Sequence, residues 1–324
     1  MWGENSSGQL GNGWDGAYAD ELSPIKIMDD VIAVSLGAGH SAAIKQDGSL
    51  WLWGGNFHGQ IGNGESGVNV TTPVKIMDNV VFVSLGREYS AAIKEDGSLW
   101  TWGRNECGQL GYGTISDNNE SNSVPTKIMD DVVFVELGAE YSAVIKSDNS
   151  LWMWGINGDG QLGNGTKEEV IVPERILDNV VSVSLGWSHS AAIRTDGSLW
   201  TWGRNNNGQL GNKVFEEALT PIKVTDGVKS VSVGNGSTAF LKEDGTLWVC
   251  GWNDYYQLGN GTTDSPVSPV QIMDNVGLIS MGYYHGAAVQ MDGSLWTWGE
   301  NIYGDLGNGT SNDSSIPIRI MNLY

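Results

Sequence analysis

Three of the four histidines, His40, His189 and His285, stand at one position of a recurring phrase, where other copies have Tyr89, Tyr141 and Ser237. Imidazoles brought together from three copies could hold a metal ion, but each would have to come within about 2 Å of it. Hydrogen bonding inside each copy requires no such convergence, and it is the expected role. His58 is a loop residue with no evident partner. Glu88 and Glu140 occupy matching variable loops, and two facing carboxylates can serve as acid and nucleophile in glycoside hydrolysis. Most other acidic residues belong to Asp-Gly turns and Met-Asp-Asp links, where a turn role suffices. The string Gly8-Gln9-Leu10-Gly11-Asn12-Gly13 has the glycines of a phosphate loop but neither its Lys nor its strand-to-helix setting, so turn geometry accounts for it. Residues Asp117 to Asn122 are acidic enough for weak calcium binding but lack the ordered spacing of a calcium loop. Cys107 and Cys250 form no CxxC or zinc pattern and read as free thiols, Cys250 as a small apolar core residue. No catalytic residue, metal or cofactor is assigned from these groups.

The composition sets the class. The 324 residues carry 17 basic against 38 acidic side chains, for a net charge of −21. Nucleic-acid binding needs clustered Lys and Arg, which are scattered singly here, so no nucleic-acid partner is expected. An apolar content of 40% is ample for a core. No segment is apolar enough to span a membrane, and no insertion is expected. The first residues, Met1 to Asn5, show neither the basic nor the apolar region of a secretion signal. Localisation therefore stays open: secreted or cell-surface if a segment precedes this one, otherwise cytoplasmic.

The elements that position these residues come from an internal repeat. Trp-Gly-x-Asn recurs at 2, 53, 102, 154, 202 and 298, with Cys250-Gly251-Trp252-Asn253 as a variant, giving a period of about 49 residues. Within each unit an Asp-Gly or Asp-Asn turn, as in Asp47-Gly48-Ser49-Leu50-Trp51, separates two short apolar runs, a strong hairpin signal. Four antiparallel strands follow: a (VxxVSLG), b (HSAAIK), c (LWxWG) and d (PxKIM). No helical period appears. Four-stranded units of this length are the blades of a β-propeller, so the chain is expected to be all-β and a single domain over residues 1–324.

The phrase W-G-x-N-x-x-G-Q-L-G-N-G, then P-x-K-I, then V-S-L-G-x-x-H-S-A-A-I-K-x-D-G-S-L-W, closely resembles the repeat of the regulator of chromosome condensation family. The resemblance spans essentially the whole chain, with departures at Tyr112, Lys213, Tyr256 and Asp305. It implies a seven-bladed propeller that works through protein contacts on one face. Members of that family act as exchange factors for a small GTPase, as chromatin-bound proteins, as modules of larger proteins or as secreted bacterial proteins. The uniform wording of the repeats is similar to the bacterial branch, and the basic tail of the chromatin-bound members is missing from this sequence.

Strand alternation places the a–b loops (GxxH) and c–d loops (WGxNxxGQLGNG) on one face and the Asp-Gly turns and d–a links on the other. The first face varies from repeat to repeat, whereas the second is nearly constant. Twelve of the 15 tryptophans sit at repeat-locked positions, and the other three, Trp14, Trp187 and Trp252, all fall on the variable face. Trp, Tyr and Arg supply much of the binding energy in protein interfaces. Trp187, Tyr283, Tyr284 and Arg87 are therefore expected at the heart of a contact surface, joined by Glu88, Glu140, Trp252, Tyr255, Trp14, Phe57 and Tyr303. The expected function is a protein-binding scaffold for a partner protein whose identity the sequence leaves unknown. Two alternatives stand beside it: a hydrolase or small-ligand site at the axial mouth, and a structural repeat module of a longer surface protein.

At about 49 residues per repeat the chain holds about 6.6 units, with seven d runs but six each of a, b and c. The expectation is a seven-bladed type with one blade incomplete. The alternative is six blades plus a spare strand.

Overall fold

A computed structural model describes residues 1–16, 19–21, 24–116 and 122–322. Its first complete sheet pairs strand a (Val31–Leu36), strand b (His40–Lys45), strand c (Leu50–Gly54) and strand d (Val70–Met77), all antiparallel and in chain order. The same order repeats over residues 80–129, 132–177, 180–225, 228–273 and 276–322, and the described residues contain no helix. We number these sheets blades 1 to 6.

The described residues form six blades, not seven. The expected seventh is overturned because the described residues before Val31 form no sheet, only an isolated bridge between Gly3 and Glu21. A d strand takes its ladder from strand c, and here that pairing is confined to Met1 with Ile25, which exchange backbone bonds at 2.8 Å, and Gly3 with Glu21, too little to build a sheet. The spare segment of the six-blade alternative is accordingly not a strand.

The chain forms two compact units, residues 1–156 with 169–175, and residues 157–168 with 176–324. Blades 1 to 3 belong to the first and blades 4 to 6 to the second, apart from the loop and strand ends that these boundaries divide. Within each unit, consecutive blades are joined by one recurring clip. The backbone carbonyl of Gln60, in a c–d loop, accepts from Trp102 Nε1 at 2.9 Å and from Ser90 Oγ at 2.7 Å, both on the next blade. Gln9 holds Trp53 and Ser41, Gln109 holds Trp154 and Ser142, and Gln161 holds Trp202 and Ser190 in the same way. Cys250 takes the Trp position facing Gln209, its Sγ 3.7 Å from that carbonyl and fully buried. The glycine two residues after each clip Gln is required, since a Cβ on Gly62 in Gln60-Ile61-Gly62 would lie 2.7 Å from Trp102 Nε1. A second link joins the a strands, where Ser35, Ser84, Ser184 and Ser232 each accept from a backbone N–H of the following blade.

The constant end is built from side-chain caps. In the b–c turn, Asp47 Oδ1 accepts from the N–H and hydroxyl of Ser49, whose Oγ in turn accepts from Trp51 Nε1, and this chain recurs in every blade with Thr246 once replacing Ser. These bonds to the ionised Asp hold the turn carboxyls below their ordinary range. In the d–a links Asp30, Asn79, Asp131, Asn179 and Asn275 adopt φ between 58° and 65°, a conformation that Asn and Asp tolerate best among non-glycine residues.

Candidate protein-binding face

The variable end is assembled by backbone bonds between a–b and c–d loops. Gly55 N donates to Gly39 O, Arg104 N to Glu88 O, Ile156 N to Glu140 O, Arg204 N to Ser188 O, Trp252 N to Gly236 O and Glu300 N to Tyr284 O. Both loop sets therefore lie at one end of each blade, as strand alternation requires. Each c–d loop is held from inside by its buried Asn. Asn105 Oδ1 accepts from Leu110 N at 3.0 Å, while its Nδ2 donates to Thr114 O at 2.8 Å, and Asn5, Asn56, Asn157, Asn205, Asn253 and Asn301 repeat the arrangement.

In the first unit the variable residues form an ion cluster. Arg104 Nη1 lies 3.0 Å from Glu88 Oε2 and 2.9 Å from Glu140 Oε1, its Nε lies 3.0 Å from Glu106 Oε2, and its Nη2 also bonds Glu106. Arg87 Nη1 approaches Glu140 at 3.6 Å and His58 Nε2 approaches Glu88 at 3.7 Å. Burial opposes the charge on Arg104, but the Glu106 hydrogen bond and the fields of Glu140 and Glu88 outweigh it and raise its pKa. Glu88 and Glu140 are thus brought together, as the hydrolase alternative asks. The Arg104 guanidinium bonds both carboxylates, so the pair is held as part of an ion cluster. Cys107 Sγ lies 3.8 Å from Glu140 Oε2, and burial together with that carboxylate pushes the thiol up to about 11, far from thiolate chemistry at neutral pH. Burial pushes Cys250 up to about 12.

The second unit carries aromatics instead. Trp187 meets Tyr283 edge to face at 5.6 Å between centroids, and Tyr283 meets Tyr284 at 4.4 Å and 88°. Tyr284 contacts Trp252 at 5.6 Å and Tyr255 at 4.6 Å, and Trp252 and Tyr255 contact each other at 5.5 Å. Five rings are thereby continuous, with Trp187 39%, Tyr255 38% and Tyr283 45% exposed. Trp187, Trp252, Tyr283 and Tyr284, with Arg204, Asn207, Asn235 and buried Gln209, line a cavity of about 400 Å³.

Trp14, Phe57 and Tyr303, all in c–d loops, are more than 70% exposed. Arg104 and Arg204 are the side chains that the sequence reading misses. Both are the x of W-G-x-N, a position whose variation from Glu4 through Gly55 to Trp252 is visible in the repeats.

His40 and His189 bond across blades rather than within them. His40 Nε2 lies 3.0 Å from Ser90 Oγ, and His189 Nε2 lies 2.9 Å from Thr238 Oγ1, each on the following blade. Both hydroxyls already donate to a Gln carbonyl, so the imidazole must donate, which assigns the Nε2–H tautomer. Tyr89 spans the same junction with its hydroxyl, 2.6 Å from Tyr141 O. Burial lowers His40 to about 4 and His189 to about 3. Among the described residues no cluster of three or more His, Cys, Asp or Glu has the geometry of a metal site. The acidic stretch considered for calcium lies, except for Asn122, outside the described residues.

The sequence profile of the RCC1-like domain matches residues 1–323. The chain belongs to that family. Its fold is shared with human WBSCR16, at a TM-score of 0.88 and 23% identity over 99% of this chain and 92% of that one. Prp20p from Saccharomyces cerevisiae gives a TM-score of 0.86 and 23% identity over 99% of this chain and 85% of its own. The human E3 ubiquitin-protein ligase HERC2 is 28% identical over 180 residues, which are 52% of this chain and 4% of that protein. The Arabidopsis thaliana ultraviolet-B receptor UVR8 is 40% identical over 68 residues, 20% of this chain and 15% of that receptor. The chain thus matches only a small part of these two proteins. No helix among the described residues is long and apolar enough to cross a membrane.

Proposed function

We propose that the chain is a protein-binding scaffold that holds its partner at the variable loop end, centred in the second unit on Trp187, Trp252, Tyr255, Tyr283 and Tyr284. The observation that carries this reading is the continuous five-ring cluster, which leaves three large rings more than a third exposed around a cavity. Clustered aromatics with adjoining polar groups are the usual anchors of protein interfaces, and truncating such an anchor costs about 2 kcal/mol or more. Family membership supports the reading. Prp20p has binding properties to Gsp1p and histones, and Kap60 binds yeast RCC1 (Prp20), all of them protein partners. The net charge of −21 argues against a nucleic-acid partner here.

The test is affinity capture from the native organism with mass spectrometry, followed by titration of the captured protein against wild type and W187A/Y283A. The double variant should bind at least about thirtyfold more weakly, the equivalent of about 2 kcal/mol. Unchanged affinity would remove this face from the interaction.

A further inference from the structure

Arg104 and Arg204 occupy the same repeat position in the two units, yet their surroundings differ residue by residue. Where Arg104 has Glu88, Glu106 and Glu140, Arg204 has Ser188, Asn206 and Gly236. All three nitrogens of the Arg104 guanidinium end on carboxylates. Arg204 uses its Nε, 3.0 Å from Asn206 Oδ1, and forms no ion pair among the described residues. No hydrogen bond of its two terminal nitrogens is found among the described residues, and Arg204 lines the aromatic cavity.

A guanidinium fork fits a carboxylate through two parallel hydrogen bonds. We propose that Arg204 takes from a partner the carboxylate that Arg104 receives from its own chain. The cavity binds an Asp or Glu side chain of a partner protein segment, while Trp187, Trp252 and Tyr283 take the apolar residue beside it. This rests on the protein-binding reading of the face and specifies its chemistry. The aromatic rings alone would also suit a cationic guest, but Arg204 places a positive charge in the same wall and repels one. With a net charge of −21 on the chain, attraction of an acidic group is local to this site and should be sensitive to salt.

The probe is a library of acetylated, amidated heptapeptides with a central Phe and random flanks, panned on the full chain. Affinities of retained peptides follow from quenching of tryptophan fluorescence. Retained peptides should be enriched in Asp or Glu within two residues of Phe. R204Q should weaken them about tenfold or more, the loss expected for charge-assisted hydrogen bonds. N206E, at an exposed position, gives Arg204 the internal partner that Glu106 is to Arg104, and it should weaken them equally. Replacing the peptide's acid by its amide should weaken binding to wild type but cost nothing further in R204Q. Retention of acid-free or Lys- and Arg-rich peptides, an acid dependence that survives R204Q, or no retention at all would overturn the proposal. So would N-acetyl-aspartate competing as well as the peptides, since the ligand would then be a small acid. W187A separates the two readings. If it abolishes retention while R204Q and N206E do not, the face stands without the acid; if it changes nothing, the face itself fails.

Discussion

His40 makes the junction of blades 1 and 2 sensitive to acid. Its Nε2–H is used by Ser90, and its Nδ1 is buried with no hydrogen-bond partner among the described residues, so a second proton would bring charge into a dry site. Burial holds the folded-state pKa at about 4, against 6.5 for a free imidazole. A depressed folded pKa means that the unfolded chain binds the extra proton between these values. The contribution of His40 is therefore fully present above about pH 6.5 and is lost as the pH falls toward 4. At pH 4.5 the linkage amounts to about 2–3 kcal/mol relative to pH 7.5.

Substituting His40→Tyr tests this directly, because Tyr89 and Tyr141 already fill the same position and Tyr89 reaches the next blade through its hydroxyl. Urea unfolding at pH 7.5 and 4.5 would be followed by tryptophan fluorescence. The acid-induced loss of stability should be smaller in H40Y than in wild type by about 2–3 kcal/mol, while carboxylate effects common to both proteins cancel in the difference. Equal losses within about 0.5 kcal/mol would refute the reasoning, as would an NMR titration in which the His40 ring protonates near pH 6.5.

Trp102→Ala should destabilise the first unit by about 3–5 kcal/mol in urea unfolding, because it removes a fully buried indole and one of the two donors to Gln60 O. Glu136 stands at the repeat position where Ser35 and Ser84 link a strands, and burial raises its carboxyl to about 7. An acid whose folded pKa is raised loses stability as pH climbs from about 4.5 through 7, so Glu136→Gln should exceed wild type in stability by up to about 3 kcal/mol at pH 8 and match it at pH 4.5, as measured by urea unfolding at both values.

The blades were legible because each strand carries its own turn chemistry. Asp47-Gly48-Ser49-Leu50-Trp51 specifies a capped hairpin through contacts no more than two residues apart, and sequence displays such local contacts directly. The number of blades was not legible in the same way. Pro24 to Met28 has the wording of a d strand, but a strand exists only through its ladder, and the partner is a matter of which neighbour is present rather than of the run itself. The histidine bonds were misplaced by one blade for a related reason, since Ser90 lies 50 residues from His40 and only packing brings them together. At the candidate site, the aromatic members stood out as breaks in a strict repeat. Arg204 did not, because the x of W-G-x-N reads as a spacer until the neighbouring a–b loop is set beside it.

The same loop grammar explains why one face can diversify while the fold stays constant. In W-G-x-N-x-x-G-Q-L-G the named residues are spent on the interior: Asn105, Gln109 and Leu110 are buried, Asn pins the loop, Gln clips the next blade, and the last Gly makes room for its indole. The x positions join that frame through their backbone N–H groups, which any residue type supplies, so their side chains are left to vary. Arg104 and Arg204 consequently have identical backbone settings, and their difference lies wholly in three neighbours drawn from two other variable positions of the repeat. Arg104 is neutralised inside its own unit by Glu88, Glu106 and Glu140. Arg204, beside Ser188, Asn206 and Gly236 and among aromatic rings, keeps its charge available to a ligand. A single exchange at an exposed x position, Asn206→Glu, should therefore convert the second arrangement into the first without disturbing a blade.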